Sequence, residues 1–284
     1  MPEDSILSWN ASSYSHPLES EQLPTFNSRL SPDTAASASL KGQYLGKASL
    51  ERLLALWAPG LDQPASSVHI RAGEASRFLG LSGPEARDWL ARLAALGTAV
   101  ATSDTGIVGL RTGDKALVVL PPFPILQNTM VPFWDTGPLL ALLEADHTVG
   151  VFLLRLGRYS VAVYQGSRLV SSKTDARYVK GRHHAGGSSQ KRFQRIREGQ
   201  IRKIYDEACE VTQKQFAPYA WQLDYILLGG ERLTLIGFLK VCPYLAQFQG
   251  ITLGRRLNVR DPKRDTLEDV GDMLLESRVF QVQW

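Results

Sequence analysis

The chain has 284 residues, 44% of them hydrophobic, so it is long enough to bury a sizeable core in one large or two modest domains. It carries a formal net charge of +4 at pH 7, and its two cysteines, Cys209 and Cys242, have a spacing that indicates neither a zinc ribbon nor a disulfide framework, which favours a reducing cytoplasm. No apolar signal segment opens the sequence, and proline or charged residues interrupt every long apolar run, so we expect neither a signal peptide nor a membrane span.

Residues 1–40 are rich in serine and proline and show neither helical nor strand periodicity. Such a composition buries too little apolar surface to offset the entropy of ordering the chain. We therefore expect a disordered arm.

Residues 41–115 show helical periodicity. One helix is predicted before Pro59 and another from Pro84 to Gly97, with a small hairpin to follow around Asp104–Gly106. Helix, turn, helix and hairpin is the order of a winged helix, for which DNA binding is a common function. The sequence therefore predicts a small, mainly helical region of winged-helix order.

The charges of the second helix argue against DNA binding in this region. Glu85 and Asp88 balance Arg87 and Arg92, which leaves no basic excess to neutralise phosphates. We expect a structural or protein-contact role for residues 41–115, and no binding to DNA.

Residues 116–284 alternate strands with helices. The predicted strands cover 117–120, 149–156, 159–165, 168–173, 225–228, 251–259 and 279–282. The predicted helices cover 136–146, a long basic stretch that follows a loop at 176–189, 231–239, and 265–276, the last opened by a capping box of Asp265 and Glu268. Three successive strands from 149 form an antiparallel meander, and the whole predicts an α/β domain with a mixed sheet.

Basic residues are concentrated between Lys173 and Lys203. This segment holds ten basic and two acidic residues, a local charge of +8 in a chain whose total is +4. The rest of the chain is therefore net acidic, and one surface is suited to a polyanion.

At the centre of this segment lies Gly186, Gly187, Ser188, Ser189 and Gln190. The two glycines make a thin segment that can adopt positive φ angles, and a glutamine amide can hydrogen-bond water without carrying a charge. A solvated basic face has no need of this sequence. A glutamine that only caps the following helix is the plainer interpretation.

The segment from Arg177 to Phe193, with the strands before it, resembles the catalytic domain of the Vms/Ankzf-type release-factor-like peptidyl-tRNA hydrolases, in a bacterial or archaeal form related to the middle domain of eukaryotic and archaeal class-1 release factors. The resemblance covers roughly 117–284. It implies an RNase H-like core and hydrolysis of the ester between a nascent chain and tRNA on stalled large ribosomal subunits, in ribosome-associated quality control. Two serines interrupt the release-factor Gly-Gly-Gln, and the eukaryotic zinc module is absent from the sequence.

The resemblance also implies roles for individual residues. Gln190 would position the hydrolytic water, on a catalytic loop that includes Gly186, Gly187, Ser188 and Ser189. The expected RNA-binding residues are Lys173, Arg177, Lys180, Arg182, His183, Lys191, Arg192, Arg195 and Arg202. The expected partners are the large ribosomal subunit and peptidyl-tRNA, with no metal and no cofactor.

Two alternatives stay open. The same surface would serve a non-catalytic ribosome-binding rescue factor, which the interrupted motif favours, or an RNase that cuts the tRNA 3′ end. A carboxylate metal site of RNase H type would draw on Asp224 and Glu231, and His183 with His184 would need further ligands to bind a metal.

Overall fold

The computed structural model of the protein describes residues 42–60, 62–81, 83–179, 181 and 188–284, with side chains from 192 onward in the last range. The predicted arm at 1–40 lies outside these residues. No helix in the described ranges is long and apolar enough to cross a membrane.

The described residues form two sheets and nine α-helices. The strands are β1 (Gln43–Leu45), β2 (Ala65–Ile70), β3 (Ile107–Thr112), β4 (Lys115–Leu120), β5 (Thr129–Val131), β6 (Thr148–Arg155), β7 (Arg158–Gln165), β8 (Arg168–Ala176), β9 (Tyr225–Gly230), β10 (Thr252–Leu257) and β11 (Ser277–Gln283). The helices are α1 (Lys47–Trp57), α2 (Ala75–Gly80), α3 (Pro84–Ala95), α4 (Thr98–Ala101), α5 (Gly137–Glu144), α6 (Ser188–Phe216), α7 (Arg232–Leu239), α8 (Pro243–Ala246) and α9 (Thr266–Leu274).

The first sheet is antiparallel and has the order β1-β11-β4-β3-β2-β5. The last strand of the chain, β11, lies inside it, paired with β4 on one side and β1 on the other. Residues 117–120 and 279–282, which the sequence assigned to the catalytic part, therefore complete the sheet of the N-terminal region. Hydrogen bonding along all of β4 stabilises this long-range pairing, which local patterns do not show.

The helices predicted for the N-terminal region are confirmed as α1 and α3, but the predicted hairpin is wrong. The chain turns between β3 and β4 at Gly113, where φ is 57°. Asp104–Gly106 instead leads from α4 into β3, because the buried run that follows continues straight through the sheet.

Strand β2 was not predicted because it carries buried polar side chains. Ser67 is fully buried, and its hydroxyl accepts a hydrogen bond from the Asp135 amide at 2.7 Å and donates one to the Phe133 carbonyl at 2.9 Å. Nδ1 of His69 lies 3.2 Å from the Thr129 hydroxyl. Distant residues thus bind the Ser67 hydroxyl and Nδ1 of His69, polar groups that in the sequence indicated a turn.

The second sheet has the order β10-β9-β6-β7-β8. Strands β6, β7 and β8 form the predicted antiparallel meander, and β9 and β10 run parallel to β6. This order and these directions are those of an RNase H-like sheet, so the predicted mixed α/β class is confirmed. Helix α6 packs on the face that carries Phe152 and Val161, and α9 packs on the face that carries Val151 and Tyr164.

The start of α9 differs from the prediction. Asp265 has helical backbone angles, with φ of −61° and ψ of −35°, and its side chain makes no capping hydrogen bond. The Thr266 hydroxyl instead donates to the Asp261 carbonyl at 3.0 Å. The predicted capping box is therefore not formed. Asp265 belongs to the turn before the helix and has helical backbone angles, whereas a capping residue usually has extended ones.

Gly230 ends β9 in a conformation that other residues avoid. Its φ is 106°, and an added Cβ would lie 2.1 Å from the Leu154 carbonyl oxygen of β6. We expect Gly230→Ala to lower the free energy of unfolding by about 2–4 kcal/mol in a urea titration. Gly250→Ala is the matched control, since Gly250 has an ordinary φ and open space around it. Equal unfolding midpoints for the two variants would contradict this account.

Candidate functional site

The carboxyl ends of β6, β8, β9 and β10 and the start of β7 meet at one edge of the second sheet, which we call the carboxyl edge. The predicted catalytic segment leaves from this edge, between the end of β8 and the start of α6. Ligands of open α/β sheets commonly bind outside the carboxyl ends of parallel strands. The topology thus places the candidate site at a position suited to binding.

Part of the predicted site lies outside the described residues. This part comprises Lys180, Arg182, His183, Gly186 and Gly187. For Ser188, Ser189, Gln190 and Lys191 the structure describes the backbone and its helical state only.

Gln190 is the third residue of α6, which begins at Ser188. The two serines predicted to belong to the loop are therefore in the helix, as expected of residues that favour helix starts. The first four backbone N–H groups of a helix have no partner within it. N–H donors that have no partner within the helix accordingly lie beside Gln190, which makes the segment chemically suited to contact an anionic oxygen.

The N-terminal half of α6 carries few contacts to the core. Among the side chains of α6 that the structure describes, from residue 192 onward, the first buried one is Ile204, sixteen residues after the start of the helix. With a rise of about 1.5 Å per residue, Ser188 lies about 24 Å further along the helix axis. The helix therefore holds Gln190 well away from the body of the sheet.

The basic residues predicted to bind RNA differ in their surroundings. Arg192 and Arg195 are exposed on the N-terminal half of α6, and Lys173 is exposed on the edge strand β8. Nε of Arg202 pairs with Asp206 at 3.0 Å. These four cations lie on the surface, although a neighbouring carboxylate partly offsets the charge of Arg202.

Arg177 has a different geometry from the other predicted RNA-binding residues. Its guanidinium forms an ion pair with Glu207 of α6, and its backbone N–H donates to the Gly157 carbonyl at 2.8 Å. Val179, two residues on, packs against the buried cluster under α6. Arg177 therefore fixes the direction in which the chain leaves β8, besides contributing charge.

The C-terminal half of α6 is anchored to the sheet. Ile204, Ala208 and Phe216 are buried in the core cluster, and the Tyr205 hydroxyl donates to the Thr234 carbonyl at 3.1 Å. Burial, with the nearby charge of Glu231, raises the pKa of the Tyr205 phenol, so it remains a hydrogen-bond donor. A fixed C-terminal half supports the exposed end that carries Gln190.

The expectation that the cysteines are unpaired is wrong. Cys209 of α6 and Cys242, just before α8, form a disulfide with their Cα atoms 5.4 Å apart. They meet because α7 and α8 pack beneath α6, which the sequence spacing alone does not show.

Reducing this disulfide should lower the free energy of unfolding by about 3–4 kcal/mol, the value expected for a loop of this length. We expect α6 to stay folded, since Ile204 and Phe216 remain buried. Urea titrations with and without dithiothreitol measure the effect, and a variant carrying Cys209→Ser and Cys242→Ser should be insensitive to the reductant. The same midpoint for the native chain under both conditions would contradict the prediction.

Asp224 and Glu231 cannot share a metal ion. They flank β9 at its opposite ends, and seven residues of extended chain span about 23 Å. Asp224 accepts a hydrogen bond from the Thr148 amide at 2.8 Å, while Glu231 accepts one from the Thr234 hydroxyl at 2.6 Å. Within the described ranges no group of three or more His, Cys, Asp or Glu residues is arranged to hold a metal.

Sequence reasoning missed a second group of basic residues at the carboxyl edge. We call it the edge cluster, and it consists of Arg155, Arg158, Arg260, Lys263 and Arg264. The basic run from Arg260 to Arg264 after β10 was the available signal. The other two residues of the cluster, Arg155 and Arg158, lie about a hundred residues earlier in the chain.

Comparisons with known proteins show which proteins the chain is similar to. Residues 147–279 match a family model described as the Actinobacteria/chloroflexi VLRF1 release factor. Peptide chain release factor subunit 1 of Archaeoglobus fulgidus is 28% identical over 134 residues, which are 46% of this chain and 33% of the relative. That of Pyrobaculum aerophilum is 34% identical over 127 residues, which are 43% of this chain and 32% of the relative. The chain thus matches about a third of the length of each.

Two solved structures are also similar. The archaeal translation termination factor aRF1 is 16% identical with a TM-score of 0.33, covering 75% of this chain and 65% of its own. The Vms1 mitochondrial localization core is 11% identical with a TM-score of 0.36, covering 63% of this chain and 76% of its own. The family match and the curated relatives confirm the resemblance to release-factor-like proteins drawn from the sequence.

Proposed function

We propose that this chain is a peptidyl-tRNA hydrolase that frees nascent chains from stalled large ribosomal subunits in the cytoplasm. Its residues 147–279, which match the release-factor family model, would form a catalytic domain of the Vms/Ankzf type. The observation that carries the proposal is the position of Gln190. It lies in the first turn of an exposed basic helix, directly after two glycines and two serines. This arrangement suits an ester deep within an RNA-lined cavity, since both the glycine segment and the helix end are narrow.

Gln190 would act by orienting water. Its side-chain carbonyl can accept a hydrogen bond from the water, and its amide can donate others, with no charge to desolvate. The water oxygen attacks the ester carbonyl carbon, the bond to the ribose oxygen breaks, and that oxygen takes up a proton from the water. Backbone N–H groups of the first turn of α6 are suited to stabilise the oxyanion that forms in between.

The basic surface would hold the chain on RNA. Arg192, Arg195 and Arg202 lie on α6, within three turns of one another and on the same half as Gln190. Binding of phosphates by these side chains would set the direction from which the helix enters the ribosome. None of these steps requires a cofactor.

The test is a release assay. Purified protein is incubated with large subunits that carry labelled peptidyl-tRNA, and both products are separated. We expect free peptide together with tRNA that keeps its complete 3′ end. Shortened tRNA would support an RNase instead, and tight binding without release would support the non-catalytic factor that the interrupted motif favours.

A further inference from the structure

We propose that the edge cluster is a second RNA-binding surface, which holds phosphates of the RNA on the opposite side of the catalytic segment from α6. This inference rests on the proposed function for its partner and deepens it. The surface is built from two distant parts of the chain, the turn between β6 and β7 and the segment between β10 and α9.

The two parts are held together by specific contacts. Nη1 of Arg155 donates to the Arg260 carbonyl at 2.5 Å, and Nη1 of Arg158 lies 3.0 Å from the Asp261 carboxylate. The Ser160 hydroxyl donates to the Pro262 carbonyl at 2.9 Å. The segment after β10 therefore crosses the carboxyl edge as far as β7.

The cluster keeps a positive charge after its internal pairing. The two stretches, 155–158 and 260–265, hold five cations and two acidic residues, Asp261 and Asp265, so their net charge is +3. Asp261 is shared, since Nζ of Lys263 lies 3.2 Å from its second oxygen. Arg260 and Arg264 have exposed side chains, and the side chain of Lys263 is 57% exposed.

The cluster adjoins the catalytic segment. The turn that carries Arg158 also holds Arg177, through the hydrogen bond from its amide to the Gly157 carbonyl at 2.8 Å. An added Cβ at Gly157 would lie 3.1 Å from the Arg177 carbonyl oxygen. The lack of a side chain at Gly157 therefore allows the two segments to approach closely. The edge cluster and the exposed half of α6 thus lie on either side of the chain that leads to Gln190.

The edge cluster and the basic surface of α6 belong to opposite faces of the second sheet. Residues of β7 alternate, so that Val161 faces α6 while Ser160, which contacts Pro262, faces the side covered by α9. Two basic surfaces on opposite faces can each hold a different stretch of phosphates. Four of the five cluster residues are arginines, whose planar guanidinium fits phosphate oxygens in pairs.

The experiment measures binding of a variant with Arg260→Gln and Arg264→Gln, made in the Gln190→Ala chain so that turnover does not interfere. The probes are empty large ribosomal subunits and large subunits that carry peptidyl-tRNA, each titrated from low to high salt. We expect affinity to fall about tenfold and the slope of log affinity against log salt to drop by about 1.5–2. An equal loss for both probes assigns the phosphates to ribosomal RNA, and a loss with the loaded subunits alone assigns them to tRNA.

The matched control carries Lys214→Gln and Lys240→Gln, which remove the same charge from exposed positions away from the carboxyl edge. Arg264→Gln alone should give about half the change in slope. If the double variant matches the control with both probes, the inference is overturned. If wild-type protein releases no peptide while the double variant still binds more weakly, the hydrolase proposal fails and this surface stands.

Discussion

Gln190→Ala should slow peptide release from loaded large subunits by about 100- to 1,000-fold, a loss of about 3–4 kcal/mol in transition-state stabilisation. The backbone of Gln190 lies fourteen residues before Ile204, the first buried side chain described in α6, which is about 21 Å along the helix axis at a rise of about 1.5 Å per residue. We therefore expect the melting temperature and the affinity for subunits to stay close to those of the wild type. Single-turnover release and equilibrium binding, measured on the same preparation, separate these effects.

Gln190→Glu is the stricter control for this prediction. It keeps the size of the side chain but adds a negative charge next to RNA phosphates and a developing oxyanion. Release by this variant should be at least as slow as by Gln190→Ala. Full release by Gln190→Ala would remove Gln190 from the mechanism, while weak binding by that variant would make it an RNA contact.

Neutralising Arg192, Arg195 and Arg202 together, each to glutamine, should weaken binding to large subunits by about 100-fold or more at moderate salt. Each phosphate contact releases condensed counterions, so the slope of log affinity against log salt should fall by about 2–3. Arg202 also pairs with Asp206, and its loss leaves that carboxylate facing the RNA. Binding is measured by sedimentation with subunits across a salt series.

The matched control neutralises Lys115, Lys214 and Lys240, three exposed lysines outside the exposed half of α6. It removes the same net charge from the chain. A similar loss in both triple variants would show that only total charge matters, and unchanged binding by the arginine variant at every salt concentration would exclude α6 as the RNA contact.

The sequence predicted most of the second sheet because its signals are local. The β-branched and aromatic residues of β6 and β7 alternate or run continuously, and the glycine turn between them at Gly157 is marked in the chain. The candidate site followed from the same local reading, since the basic residues and Gln190 fall within one stretch of 31 residues.

What the sequence did not predict depends on partners far away in the chain. Strand β11 pairs with β4 across more than 150 residues, and the disulfide joins Cys209 to Cys242 only because α8 packs under α6. The edge cluster is of the same kind, since Arg158 and Asp261 meet through the return of the chain over the carboxyl edge. The local periodicity of a sequence carries no information about such contacts.

In the proposed mechanism, water oriented by Gln190 cleaves the ester between the nascent peptide and tRNA. The most direct measurement is mass spectrometry of the peptide released by the wild-type protein in heavy-oxygen water. We expect a single heavy oxygen in the new terminal carboxylate of the peptide, with tRNA that ends in its complete 3′ terminus. A peptide that leaves without the label, or still attached to nucleotides of the tRNA 3′ end, would contradict it.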